Sequence, residues 1–166
     1  MFLWHSFGTY QSEMKTTNNI HTTTHTVKVV ILDDDMYYNK LLTKYVSSVC
    51  SHNVYRDLAF DIESYYDAGV CIDNLDEDTD VFLLDYHLNT YIDDQLITGM
   101  DVLGVIKEMN PDCKVIMVSS QNNMLLTVEM MKQGIYDYVS KTINSRQRVG
   151  SLLQQIIKDN FQTFKR

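Results

Sequence analysis

Asp80-Val81-Phe82-Leu83-Leu84-Asp85 is the stretch on which the reading of this chain turns. Four bulky apolar residues in succession are too few for a helix and read as a strand buried on both faces, the pattern of a parallel sheet. The run ends on a carboxylate. In an open α/β sheet, the residue at the C-terminal end of a central strand borders the crevice where ligands bind. Asp85 is therefore either a functional group or the cap of the following turn, and its company elsewhere in the chain decides between them.

Upstream, Val27-Lys28-Val29-Val30-Ile31-Leu32 is a second strand of the buried kind, and it too ends in carboxylates: Asp33, Asp34 and Asp35. Tyr38, Leu41, Leu42, Tyr45 and Val49 follow at helical spacing on one face. From Leu58 to Tyr65, Phe60 and Ile62 alternate with Asp61 and Glu63, a half-exposed strand suited to a sheet edge. Ala68, Cys71, Ile72 and Leu75 supply a short helix before the central strand.

Downstream, His87 to Thr98 is a polar stretch, read as a loop and closed by Gly99. The next helix buries Val102, Leu103, Ile106 and Met109 and stops before Pro111, which disfavours helix at Asn110. Lys114 to Val118 forms a strand ending on Ser119-Ser120. Met124, Leu125, Val128 and Met131 line a helix that Gly134 ends as a left-handed cap. Tyr136-Asp137-Tyr138-Val139 is a short strand ending near Lys141. The last helix, from Asn144 or Ser145, buries Val149, Leu152, Leu153, Ile156 and Ile157.

Strand and helix thus alternate five times, which calls for a doubly wound α/β fold: a five-stranded parallel sheet with right-handed crossovers and five helices on its two faces. With the alternating strand at an edge and the apolar ones inside, the expected order is 2-1-3-4-5.

The 166 residues are 45% hydrophobic and fit one domain with a sizeable core. A formal net charge of −8 argues against nucleic acid as a partner, which needs an excess of Lys and Arg. No apolar run is long enough to span a membrane. Met1-Phe2-Leu3-Trp4 lacks the basic start and cleavage site of a signal peptide. Cys50, Cys71 and Cys113 have no metal-type spacing and read as reduced thiols in a cytoplasmic protein. Residues 1–26, polar and aperiodic, are expected to be a flexible tail with solvated His5, His21 and His25, ahead of a domain over 27–166.

Strand ends bring the chemistry together: Asp33 and Asp34 after the first, Asp85 after the third, Ser119 after the fourth, Lys141 after the fifth. In a parallel sheet these ends share one edge. Carboxylates converging there raise one another's pKa unless a cation lies between them, and an all-oxygen set with few carboxylates suits Mg²⁺. A lysine and a hydroxyl alongside can hold the oxygens of a transferring phosphoryl group, with the remaining carboxylate as nucleophile. The plainer reading makes Asp33 to Asp35 a helix start, Ser119 a turn residue and Lys141 a solvated end; it has to invoke coincidence at every strand.

Residues 27–160 resemble the receiver domain of bacterial two-component response regulators. The resemblance is carried by Val30-Ile31-Leu32-Asp33-Asp34-Asp35, Val81-Phe82-Leu83-Leu84-Asp85, Gly99-Met100-Asp101-Val102-Leu103, Val115-Ile116-Met117-Val118-Ser119-Ser120 and Asp137-Tyr138-Val139-Ser140-Lys141, in this order. It implies a flavodoxin-like fold, with Asp85 as phospho-acceptor and Asp33, Asp34, Asp85 and the backbone carbonyl of His87 as Mg²⁺ ligands. It further implies Ser119 and Lys141 as phosphoryl-binding groups and Tyr138 as the aromatic switch residue working with Ser119. Ser120, His87 and Gln121 fall where the family's side chains modulate the site. The implied partners are a sensor histidine kinase or histidine phosphotransfer protein and an unidentified downstream protein.

The chain departs from the pattern in three places. Thr142 stands where the family usually has a cis-proline. The stretch after Asp85 is longer than usual, lacks the Met-Pro pair and adds Asp93-Asp94. No output domain follows, so a stand-alone receiver is expected. The alternative is a receiver-like interaction module that no longer takes a phosphoryl group. A haloacid-dehalogenase-like phosphatase is expected to carry its nucleophile in a D-x-D on the first strand and to add a cap domain; here the first-strand acids are adjacent and the chain leaves no room for a cap.

Overall fold

The computed structural model describes residues 25–161 apart from 53, 54, 56 and 122. In chain order the elements are β1 (His25–Leu32), α1 (Met36–Cys50), β2 (Leu58–Tyr65), α2 (Ala68–Asp73), β3 (Val81–Leu84), β4 (His87–Ile92) and β5 (Gln95–Thr98). There follow α3 (Gly99–Met109), β6 (Lys114–Ser119), α4 (Met124–Lys132), β7 (Asp137–Ser140) and α5 (Ser145–Phe161). Five strands form one sheet in the order β2-β1-β3-β6-β7, every pairing parallel. That is the doubly wound, five-helix architecture expected from the alternation, with the half-exposed strand at the edge. Among the described residues no helix is long and apolar enough to cross a membrane.

Strand periodicity sorts the core into two layers. Val27, Val29 and Ile31 of β1, Val81 and Leu83 of β3, and Ile116 and Val118 of β6 pack against α1 and α5. Their neighbours Val30, Leu32, Phe82, Leu84, Val115 and Met117 face α2, α3 and α4 on the other side. Successive side chains of a strand point to opposite faces. Inner strands covered on both sides must therefore be apolar throughout, and Val81–Leu84 is buried at every position.

The structure corrects the sequence reading at three points. His87 to Thr98 is not a loop but an antiparallel hairpin, β4–β5, which pairs Tyr91 with Leu96 and Ile92 with Gln95 around a two-residue turn. Asp93 and Asp94 form that turn with φ of 49° and 62°. Two consecutive left-handed residues match the twist of a hairpin, and Asp tolerates this conformation better than most side chains. Second, His25 and Thr26 belong to β1, and the His25 ring stacks on Phe161 at 5.0 Å. Residues 1–24 of the expected tail, with His5 and His21, lie outside the described residues. Third, Met109 at the end of α3 is exposed rather than buried, and Met124, Leu125, Val128 and Met131 of α4 face outward, while Met130 is the residue this helix buries. Gly134 takes a φ of 91° after α4, the left-handed cap that its position implied.

Candidate functional site

The C-terminal edge of the sheet gathers the charged groups. The β1–β3 ladder pairs Leu32 with Leu84, so Asp33 and Asp85 leave the sheet side by side. Their backbones stay fixed beyond the strand ends: Asp85 N–H donates to Leu32 O (2.9 Å) and Asp33 N–H to Tyr65 O (3.2 Å). Buried Asn39 on α1 reinforces the corner, its amide donating to Asp33 O at 3.1 Å and Tyr65 O at 2.8 Å. Asp35 caps α1 by accepting from Tyr37 N (2.9 Å) and Tyr38 N (3.1 Å). The three consecutive acids thus divide their work: Asp33 points inward, Asp34 lies on the rim and Asp35 caps the helix.

Gly99 closes the other side. A Cβ there would lie 2.4 Å from Asp85 O and 2.8 Å from Tyr86 Cα, so only glycine lets α3 begin this close to the end of β3. Its N–H donates to Tyr86 O at 2.8 Å. Asp101 accepts from Thr98 N (2.8 Å) and Thr98 Oγ1 (2.7 Å), securing the first turn of α3.

Asp33 and Asp85 are almost wholly buried, and Lys141 bridges them, its Nζ 2.8 Å from an oxygen of each. The Lys141 ammonium also lies 4.7 Å over the Tyr38 ring, whose hydroxyl hydrogen-bonds Ser145 Oγ at 2.8 Å. Lys141 reaches both acids with Thr142 next to it, and the described residues contain no cis peptide bond. Burial pushes Asp33 up from the usual 3.8 to about 6, against the pull of Lys141, and the like charge of Asp85 pushes further. Asp85 is raised by burial as well, again opposed by Lys141. Burial works to lower the Lys141 pKa, but its bonds to both acids outweigh that and raise it.

One lysine cannot satisfy this pocket. Asp85 Oδ1 is buried without a hydrogen-bond partner. An orphaned carboxylate oxygen in a low-dielectric site costs free energy unless something positive or protic meets it. Asp33, Asp34 and Asp85 each offer an oxygen, all within 4.8 Å of one another. Such a set fits a small, hard, oxygen-preferring cation.

The other expected residues lie around this edge. Ser119, at the end of β6, is fully buried, and its Oγ accepts from Gln121 N at 3.3 Å. Its carbonyl accepts from Lys141 N at 2.8 Å, locking β7 to β6. Tyr138 is half-buried, and its hydroxyl donates to Gln121 O and, at 3.4 Å, to Ser119 O. Ser120 and the His87 side chain are exposed, the His87 ring edge-on to Tyr86 at 4.9 Å. The sequence reading missed Tyr38 beneath the lysine, Asn39 behind Asp33, and Asn89. Asn89 donates to Asp34 Oδ2 through its backbone N–H (3.3 Å) and its side-chain amide. Tyr38 and Asn39 looked like ordinary members of an amphipathic helix. Asn89 carries no signal without the hairpin that aims it.

Fold and edge together define a doubly wound α/β domain with a lysine-bridged acidic crevice. Residues 29–153 match the response regulator receiver domain family, and the chain belongs to that family. The nitrogen assimilation regulatory protein NtrX of Azorhizobium caulinodans is 29% identical over 58 residues, which is 35% of this chain and 13% of that protein. The chain therefore corresponds to a small part of that longer regulator. A response regulator receiver domain protein from Clostridium thermocellum is 17% identical at a TM-score of 0.62, covering 80% of this chain and 95% of that one. A CheY-like receiver domain protein from Methanospirillum hungatei is 19% identical at a TM-score of 0.57, covering 80% and 94%. At these identities the two structures speak for the fold alone.

Proposed function

We propose that this receiver domain accepts a phosphoryl group on Asp85 from a phosphorylated histidine of a sensor kinase or phosphotransfer protein. The carrying observation is the asymmetry of the Asp85 carboxylate: Oδ2 is held by Lys141 at 2.8 Å, whereas Oδ1 is buried and unpartnered. Lys141 fixes the carboxylate and leaves one oxygen to attack phosphorus. The P–O bond to Asp85 forms as the P–N bond to the donor imidazole breaks, and the imidazole leaves with its electron pair and takes a proton from water. The Lys141 ammonium and the Ser119 hydroxyl are the groups available to hold the transferred oxygens.

Mg²⁺ fits the acidic set, with Asp33, Asp34, Asp85 and the His87 carbonyl as its holders. When bound, it supplies positive charge that offsets the crowded carboxylates and the incoming phosphoryl oxygens. The chain's own part is to keep Asp33 and Asp85 buried and aimed. The reduced-thiol reading and the receiver family support a cytoplasmic setting.

The output is read as a population shift. Ser119, Gln121 and Tyr138 form one hydrogen-bonded cluster that leads to α4. That helix presents Met124, Leu125, Val128 and Met131 outward, an apolar face for a downstream protein. The test is incubation with acetyl phosphate and Mg²⁺ followed by intact mass. One added phosphoryl group, absent in Asp85→Asn, is the expected result. No mass gain in the wild-type protein favours the non-phosphorylated interaction module instead.

A further inference from the structure

We propose that Asn89 is a latch that competes with the bound cation for Asp34 and thereby couples the β4–β5 hairpin to the state of the acidic pocket. The inference rests on the cation reading above. Asn89 lies where the hairpin ladder is irregular, between the paired positions His87 and Thr90. A bulge turns a strand locally and re-aims its side chains. Here it sends Leu88 into the core, 3% exposed, and Asn89 toward the pocket.

Both Asn89 donors go to one oxygen, Asp34 Oδ2. Asp34 is the rim member of the three-carboxylate set, whereas Asp33 and Asp85 are bridged by Lys141. An N–H dipole directed at a carboxylate oxygen places its positive end where a cation would draw on the same electrons. A cation that takes Asp34 through Oδ2 therefore binds against both donors.

On its far side the hairpin is held to α2. Ala68 N–H donates to Thr90 Oγ1 at 3.2 Å, and Thr90 Oγ1 donates to Asp67 Oδ2 at 3.2 Å. Its root is thus pinned by Leu88 and Thr90, and Asn89 ties it to Asp34. Beyond the root, Tyr91 (68% exposed) and Leu96 (51%) pair across the ribbon and point to solvent. Loosening Asn89 lets the ribbon twist about its root, and the change reaches this exposed pair. The hairpin is therefore positioned to report the occupancy of the pocket to whatever approaches its mouth.

The experiment is an Mg²⁺ titration of wild type, Asn89→Ala and Asn89→Asp, followed by amide NMR and by calorimetry. In wild type, Mg²⁺ is expected to shift the amides of Asp33, Asp34 and His87, and also those of 91–96. In Asn89→Ala, which removes the side-chain donor and keeps the backbone one, the pocket shifts persist, the 91–96 shifts shrink, and Mg²⁺ binds about threefold to tenfold more tightly, the yield of removing one net hydrogen bond. Asn89→Asp sets like charges together, so its metal-free 91–96 resonances are expected to approach those of Mg²⁺-saturated wild type. Hairpin amides that ignore Mg²⁺ in wild type, or respond equally in Asn89→Ala, overturn the latch while leaving the cation reading intact. No pocket response in any of the proteins overturns the cation reading, and the latch with it.

Discussion

Without divalent cations the acidic pocket works against the fold, and pH measures by how much. Asp33 is 1% exposed, and burial raises its carboxyl from 3.8 to about 6 despite Lys141. The folded protein therefore holds this proton more tightly than the unfolded chain does. Stability from Asp33 is largest below 3.8, falls as pH rises through the window up to about 6, and is level above it. At about 1.4 kcal/mol per pKa unit, the window is worth on the order of 3 kcal/mol. Asp85 is displaced in the same direction and adds to the slope, whereas Asp76, lowered by its bond to Lys28, tilts the other way. Asp33→Asn isolates the one group by replacing it with a neutral near-isostere. Urea unfolding in the presence of a chelator, at about pH 4 and about pH 7, is the assay, with unchanged m-values required. Wild type is expected to lose about 2.4 kcal/mol more than Asp33→Asn between the two conditions, leaving the variant the more stable at the higher pH. Saturating Mg²⁺ should narrow that gap, because a ligand of the folded wild type stabilises it by mass action. Parallel pH curves, or a variant less stable than wild type at the higher pH without cation, refute the claim that burial outweighs Lys141 at Asp33.

Three further outcomes follow from the packing. Gly99→Ala forces a Cβ into contact with the Asp85 carbonyl and should cost about 1–3 kcal/mol or more by thermal or urea unfolding, with the amide shifts of Asp85 and Tyr86 the most perturbed. Leu88→Ala, at a site 3% exposed, should cost about 2–5 kcal/mol and loosen the whole hairpin, seen as faster amide exchange over 87–98. Tyr138→Phe removes the hydroxyl bonds to Gln121 and Ser119. It should change stability by only about 0.5–1.5 kcal/mol while dispersing the amide signals of α4, which a residue without a link to α4 would leave alone.

The sheet and the carboxylate edge were legible because both rest on local rules. A buried parallel strand has to be an apolar run, as 81–84 is, and its register then dictates that Asp33 and Asp85 emerge together. The hairpin escaped because its turn uses Asp93-Asp94 rather than a glycine pair, and because only Leu88 and Thr90 of β4 are buried. Such a short alternation between polar residues resembles a solvated loop. The outward face of α4 escaped for the opposite reason. Met124, Val128 and Met131 have the spacing of a core stripe, and periodicity identifies an apolar face without saying which way it points. Orientation is set by tertiary packing: Met130 fits beneath the helix and the stripe is left outside.

That misreading locates the movable part of the molecule. The α5 helix gives five apolar side chains to the core and α3 gives three, while α4 buries Met130 alone. Apolar burial is the main attachment of a helix to its domain, so α4 is the element whose displacement costs least. It is also the helix that follows Ser119 and Gln121, whose backbone carbonyls hold the Tyr138 hydroxyl. A change at Ser119 therefore meets a stiff sheet in one direction and a loosely seated helix in the other. The smaller resistance lies with α4, which is why the proposed switch is expected to act there rather than in the strands. The hairpin differs in kind: its root is buried, and its tie to the pocket is a hydrogen bond to Asp34 rather than an apolar contact. The two proposals thus separate by experiment: the packing route through Tyr138 does not require Asp34, and the electrostatic route through Asn89 does.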